Sequence, residues 1–410
     1  MRKIAMIGCG KLGLPCAEVM AKKYDVVGVD VDTFVSDSVK QVTLEEAVNY
    51  AEYIFIAVPT PHDPRYGGEG PISNLEVKDF DYTIVKNILS QINQLANKSK
   101  LVILISTVLP GTVRSQFIEL TTNYRFIYNP YLIAMGSVAW DMVNPEMIII
   151  GTEDGSTTGD AKELVEFYKP LMENNPRYEI GTWDEAESIK IFYNTFISAK
   201  IGLVNMIQDV AEKIGNINVD VVTNALSKST HRITGPSYMK AGLGDAGACH
   251  PRDNIALRYL AHKLDLGYDL FHAIMSAREI QAENMAKKLV ELAKQYNHNK
   301  IWIHGKAYKP NVPYEIGSYS LLVGHYVKQH GYDVDYVDPL TNDIHDEIHG
   351  VVLMAHHAPT TYSNVTNELN SEQKFYCKIK SGSVILDPWR YLKSDAIAEC
   401  TVVPYGNTRG

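Results

Sequence analysis

Cys249 ends a run of small residues, Gly244-Asp245-Ala246-Gly247-Ala248, and His250-Pro251-Arg252-Asp253 follow it. Small side chains let a backbone turn tightly and let a ligand approach closely, and Pro251 fixes the turn just after the thiol. A sulfur on such a floor, with the Asp253 carboxylate nearby, suits covalent catalysis, in which a thiolate attacks and a neighbour tunes it. Taken alone, a lone cysteine is more often a buried, inert thiol. Lys190 and Asn194 form a second pair, four apart and so on one face of a helix. An ammonium beside an amide can hold a negative oxygen, although a single lysine usually reads as a solvated one.

The third constellation is Gly8-Cys9-Gly10-Lys11-Leu12-Gly13, which follows an apolar run beginning at Lys3. A helix from Leu14 to about Lys23 and a buried strand Asp25–Asp30 are expected after it. Strand, GxGxxG, helix, strand and acid in that order bind a dinucleotide. Gly8 makes the tight turn, Gly10 lets the backbone reach the pyrophosphate, and Gly13 lets helix and strand pack closely. The helix N-terminus faces the phosphates. Asp30 lies where the ribose-binding acid belongs and repels a 2′-phosphate, so NAD is expected over NADP.

These residues need elements to position them. The spacing predicts strands at 53–58, 101–105, 125–128 and 147–150, with helices between them such as Tyr82 to Ala96. That alternation argues for a mostly parallel sheet covered on both faces. Ligands sit at the carboxyl ends of such strands, which makes Pro59, Thr60 and Thr107 candidates for cofactor contacts; for Thr60 alone, turn chemistry is an equal reading. Apolar residues at helical spacing predict one long helix, Trp183 to Ile214, too apolar for a simple surface element. After further helix to about Tyr296, strands are expected at 300–304, 333–338, 350–354 and 383–387, which describes a second α/β domain without a GxGxxG.

The chain has 410 residues and a formal net charge of −9. The charge disfavours nucleic acid as a partner and leaves an anionic ligand to local cations and helix N-termini. Five cysteines without CxxC spacing predict reduced thiols, a cytoplasmic protein and no metal site. No signal peptide and no membrane-spanning run is expected.

Together these motifs resemble the UDP-glucose/GDP-mannose dehydrogenase family along the whole chain. The resemblance rests on Gly8–Gly13 with Asp30, Val58-Pro59-Thr60-Pro61, Ser106-Thr107-Val108, Glu187-Ser-Ile-Lys190-Ile-Phe-Tyr-Asn194, Cys249-His-Pro-Arg-Asp253 and Gly305-Lys-Ala-Tyr-Lys309. It implies an α/β fold of two Rossmann-like doubly wound domains joined by a long central helix and a helical dimerisation region. The implied boundaries are 1–182, 183–297 and 298–410. It implies oxidation of a nucleotide-sugar C6 alcohol to the carboxylate with reduction of NAD, in a homodimer or higher homo-oligomer. Cys249 would be the nucleophile, Lys190 and Asn194 the oxyanion holders, and Asp253 and Thr107 would position groups or water. Gly8, Gly10, Lys11, Leu12, Gly13, Asp30, Pro59, Thr60 and Thr107 would hold NAD. Tyr131, Arg232, Tyr238, Lys240, Gly244, Lys309 and Arg390 would hold the substrate together with Lys190 and Asn194. UDP-glucose is the leading substrate; a UDP-N-acetylhexosamine or GDP-mannose is the alternative, and a catalytically impaired binding protein a further one.

Four positions depart from the family pattern. Tyr131 and Met135 stand where the family carries glutamates, and Ile316 stands where it carries an arginine. Ala246 also thins the glycine run. A neutral tyrosine can hydrogen-bond a water but is a poor base, so slow hydrolysis of a covalent intermediate is expected.

Overall fold

The computed structural model describes residues 1–61, 79–133, 137–235, 241–245, 254, 258, 261–310, 312–356, 375–393 and 399–406, without the side chains of residues 198, 201, 202, 205 and 212. The chain divides into two compact units, Met1–Lys200 and Ile201–Gly410. The division falls inside the long helix Trp183–Ile214, whose bounds are those that the apolar spacing predicts.

The first unit runs β1 (Lys3–Ile7), α1 (Gly13–Ala21), β2 (Asp25–Val29), β3 (Lys40–Gln41), α2 (Leu44–Tyr50), β4 (Tyr53–Ile56), α3 (Thr83–Leu95), β5 (Leu101–Leu104), β6 (Arg125–Tyr128), α4 (Val138–Val143), β7 (Met147–Thr152), α5 (Asp160–Tyr168), β8 (Arg177–Thr182) and the start of α6 (Trp183–Ile214). Its eight-stranded sheet has the order β3-β2-β1-β4-β5-β6-β7-β8. Neighbouring strands are parallel except β7, which meets β6 antiparallel at Tyr128 and Gly151. The central strands β4 and β5 are apolar and buried at every position because both sheet faces are covered. Ile4, Met6, Tyr53, Phe55, Leu101 and Ile103 fill one layer, and Ala5, Ile7, Ile54, Ile56, Val102 and Leu104 fill the other, as the period of two requires. Each fully buried aliphatic side chain contributes roughly 1.5–3 kcal/mol. Helix α3 closes the second layer through Val85, Leu89 and Ile92.

The connections leave β1 toward β2 on one side and toward β4 on the other, so the order reverses between β1 and β4. A crevice opens at the carboxyl ends of the strands at such a point. Five of the unit's elements, β3, α2, α4, α5 and β8, lie beyond those the apolar spacing singles out. Of these α2 carried a legible signal: Thr43 and Glu46 form a reciprocal capping box at its start, the pattern that marks a helix N-terminus.

The second unit holds the rest of α6, then α7 (Val219–Ser227), α8 (Leu270–Gln295), β9 (Lys300–His304), α9 (Tyr319–Gln329), β10 (Asp333–Val337), β11 (Glu347–Ile348), β12 (Val351–Met354), β13 (Lys378–Ile379), β14 (Val384–Asp387) and β15 (Thr401–Pro404). Its five-stranded sheet has the order β10-β9-β12-β14-β15, parallel throughout. This is the expected second α/β sheet, with β15 added at its edge. The C-terminal half of α8 covers that sheet with Met285, Leu289, Val290 and Leu292.

Candidate functional site

A cavity of about 430 Å³ opens over the β1/β4 reversal, lined by Gly10, Lys11, Leu12, Gly13, Ala57, Val58, Pro59, Thr60, Ile105, Ser106, Thr107 and Tyr131. It gathers the glycine turn and both polar strand ends that the sequence places separately. Gly8 has φ +92, and a Cβ there would lie 2.8 Å from the Ala57 carbonyl. A Cβ on Gly13 would stand 1.8 Å from the Gly8 carbonyl oxygen, so only glycine lets α1 start this close to β1. Around Gly10 nothing lies within 4 Å of such an atom, which leaves room for a pyrophosphate against the backbone. Asp30 follows β2, and its carboxylate accepts the Asp32 N–H at 3.1 Å. These residues fit a bound dinucleotide.

The far wall is cross-linked. The Thr60 hydroxyl donates to the Thr107 carbonyl at 2.7 Å, and the buried Ser106 hydroxyl donates to the Val58 carbonyl at 2.6 Å. Both threonines therefore face the cavity from fixed loops, and Ser106, quoted in the motif without a role of its own, is a further wall residue. Cys9 lies inside the glycine turn but is no nucleophile: burial first, and the Asp30 charge next, push its thiol up to about 12.

Lys190 enters from α6. Its ammonium donates to the Tyr131 main-chain carbonyl at 2.7 Å, and burial lowers it from the usual lysine range. Among the described residues no carboxylate pairs with it. Asn194, one turn on, is exposed. One turn earlier Glu187 is fully buried. Its carboxylate accepts the Gly111 N–H and, at 2.8 Å, the Val113 N–H, which ties α6 to the segment that follows Thr107. Burial raises this carboxyl to about 7 despite those hydrogen bonds. A glutamate on a helix reads as a solvated group in sequence, so its burial was not legible.

Tyr131 requires a correction. Its hydroxyl, expected to meet a water or substrate, turns into the core and bonds the Tyr168 hydroxyl at 2.8 Å. Burial, with Tyr168 alongside, holds it well above the usual tyrosine range. The residue offers the cavity only its ring and main chain.

In the second unit the backbone at 241–245 packs against Trp389, just after β14, and Tyr319, at the start of α9. A Cβ on Gly242 would meet the Trp389 ring at 2.1 Å, and one on Gly244 the Tyr319 ring at 2.2 Å. Arg278 pairs with the Asp245 carboxylate, and the Tyr319 hydroxyl donates to the Arg278 carbonyl at 3.1 Å. Arg390 donates to the carbonyls of Ala241 at 2.6 Å and Tyr405 at 2.9 Å, and to that of Pro388. Expected to hold a sugar, it is engaged here as a brace between main-chain segments. Gly244 likewise serves close packing. Lys309 is exposed after β9, its ammonium 5.2 Å from the centre of the Tyr308 ring. Arg232 is exposed on the turn after α7, and Ile316 is exposed as well. Cys249, Asp253, Tyr238, Lys240 and Met135 lie outside the described residues. Among the described residues no group of acids, histidines and cysteines could hold a metal ion, and no helix is long and apolar enough to cross a membrane.

A sheet that reverses at β1/β4, a glycine turn under an open cavity and an acid after β2 define a dinucleotide-binding α/β protein. Residues 34–172 match the NAD binding domain of the UDP-glucose/GDP-mannose dehydrogenase family and residues 184–280 its central domain. The chain belongs to that family, whose members are NAD-dependent oxidoreductases acting on nucleotide sugars. It is 25% identical to the UDP-glucose 6-dehydrogenase TuaD of Bacillus subtilis, over 83% of this chain and 76% of that one. It is 27% identical to the UDP-glucose 6-dehydrogenase of Rhizobium meliloti, over 82% and 81%. The alignment with YwqF of Bacillus subtilis spans 66% of this chain and 58% of that one. The fold is similar to that of GDP-mannose dehydrogenase from Pseudomonas aeruginosa, with a TM-score of 0.77 over 98% of this chain and 99% of that one, at 19% identity.

Proposed function

We propose that this protein oxidises the C6 alcohol of a nucleotide sugar, UDP-glucose first among them, to the carboxylate, with NAD as the oxidant and Cys249 as a covalent nucleophile. The observation that carries the reading is the Lys190 ammonium, half-buried and unpaired by any described carboxylate, held on the main chain of a residue that lines the dinucleotide cavity. Gly8, Gly10, Lys11, Leu12 and Gly13 would hold the pyrophosphate, Asp30 the adenosine ribose, and Pro59, Thr60 and Thr107 the nicotinamide side. Bound there, NAD supplies a hydride acceptor, once for the alcohol and once more for the second oxidation.

The chain does the rest. Lys190 and Asn194 hold the C6 oxygen while it carries negative charge, in a site where fixed donors need no reorganisation. The Cys249 thiolate adds to the aldehyde carbon and forms a C–S bond; loss of the second hydride leaves a thioester. Water adds to that carbonyl, the C–S bond breaks, the thiolate leaves and the carboxylate is released. Asp253 positions Lys190 or the water. Residues 183–297 form the dimerisation region in this reading, and Arg232, Tyr238, Lys240 and Lys309 contact the substrate.

A second reading is favoured by one observation. With the Tyr131 hydroxyl turned inward, position 131 offers no side-chain group to activate the hydrolytic water, so a slow enzyme or a binding protein fits as well. Acid formation by the wild type separates the two, and Cys249→Ala tests the nucleophile. The variant is expected to keep nucleotide-sugar affinity by calorimetry and to lose acid formation. Acid made at the wild-type rate by the variant would reduce Cys249 to a structural residue.

A further inference from the structure

Tyr131 is held at two points. Its carbonyl accepts the Lys190 ammonium, and its hydroxyl enters a chain that ends on a strand. The Asn129 side-chain amide N–H donates to the Ile149 carbonyl at 2.6 Å. That fixes which end of the amide is oxygen, and the oxygen accepts the Tyr168 O–H. Tyr168 has then used its only proton, so its oxygen must accept from Tyr131, at 2.8 Å. Every proton in the chain has one direction, and it runs through groups screened from water: Asn129 is fully buried and Tyr168 is 2% exposed. The backbone between the two ends is stiff as well, because the Asn129 N–H continues the sheet by donating to the Leu104 carbonyl at 2.8 Å and Pro130 restricts both its own φ and its predecessor.

We propose that Tyr168 is a positioning residue for Lys190: the Asn129–Tyr168–Tyr131 hydroxyl chain fixes the Tyr131 carbonyl and thereby the ammonium it holds. The inference rests on the reading above for its catalytic consequence, but not for its geometry. Position 131 then works through its main chain, and the tyrosine that stands there is selected by Tyr168 behind it. Tyr168, at the end of α5, touches no ligand in this account.

The test has two arms. In the first, the intact protein is exposed to an amine-acylating reagent and the modification of Lys190 is followed by peptide mass spectrometry, with the exposed Lys23 as control. Tyr168→Phe keeps the ring and removes the hydroxyl, and Lys190 is expected to react several-fold faster while Lys23 is unchanged. Tyr131→Phe breaks the same bond from the other side and serves if the first variant does not fold. Unchanged Lys190 reactivity in a folded variant overturns the proposal. In the second arm, Tyr168→Phe is expected to lower kcat roughly tenfold in the native background and to have no further effect once Lys190→Ala is present. An equal loss in both backgrounds would mean a general structural role and would overturn it too. If no nucleotide sugar is oxidised, the functional reading fails and the labelling arm still decides this one.

Discussion

The Lys190 ammonium and the Tyr131 carbonyl oxygen are 2.7 Å apart, and that contact turns a residue-type departure into a main-chain contribution. A carbonyl satisfies one of three ammonium protons, leaving the others for a ligand. Burial lowers the Lys190 ammonium from the usual lysine range, and only the charged form can stabilise an oxyanion. Activity is therefore expected to fall as pH rises through a value below the ordinary lysine value of about 10.4. A pH–rate profile checks this. Lys190→Ala should lose roughly 10²–10³ in kcat and the alkaline limb with it, while NAD affinity is kept.

Glu187 sets a second pH dependence, on stability. Its folded value of about 7 stands above the ordinary 4.5. A raised folded value favours the folded state below about pH 4.5, and the advantage is lost as pH rises to about 7. Over that span the wild type should lose ~3 kcal/mol relative to Glu187→Gln, which does not titrate. Denaturant unfolding of both proteins at pH 4.5 and 7.5 measures the difference, in which other groups cancel. Parallel behaviour would mean that the Glu187 carboxyl titrates alike in the folded and unfolded states.

These two residues mark where sequence reading stops. The glycine turn, the acid after β2 and the bounds of α6 were legible because each depends on spacing alone. Strand β8 and helix α5 were not, since the mixed run Arg177–Thr182 and the polar-rich Asp160–Tyr168 gain their place from packing on β7. Nor was the inward turn of Tyr131: residue type says that a hydroxyl exists, not which way χ1 sends it, and the partner that decides it lies 37 positions away. Tyr168 carried no local signal at all.

Helix α6 exposes Phe192, Phe196 and Ile197, and α7 exposes Val221. Burying one such side chain would contribute roughly 1.5–3 kcal/mol, and the prediction drawn from these exposed residues is a homodimer. Light scattering is expected to give twice the chain mass for the wild type at micromolar concentration. Phe196→Glu should shift it toward the monomer with helix content unchanged. A wild type that stays monomeric would remove dimerisation from the account.

The most direct measurement incubates the intact protein with NAD, or with NADP in parallel, and a panel of UDP- and GDP-linked hexoses, following NADH absorbance and product mass together. The account predicts NADH with NAD alone, two per sugar consumed, a nucleotide-linked uronic acid as product, and a sugar-nucleotide adduct on Cys249 in rapidly quenched protein because position 131 activates no water. An aldehyde with one NADH per sugar, equal use of NADP, or no oxidation of any sugar in the panel would contradict it.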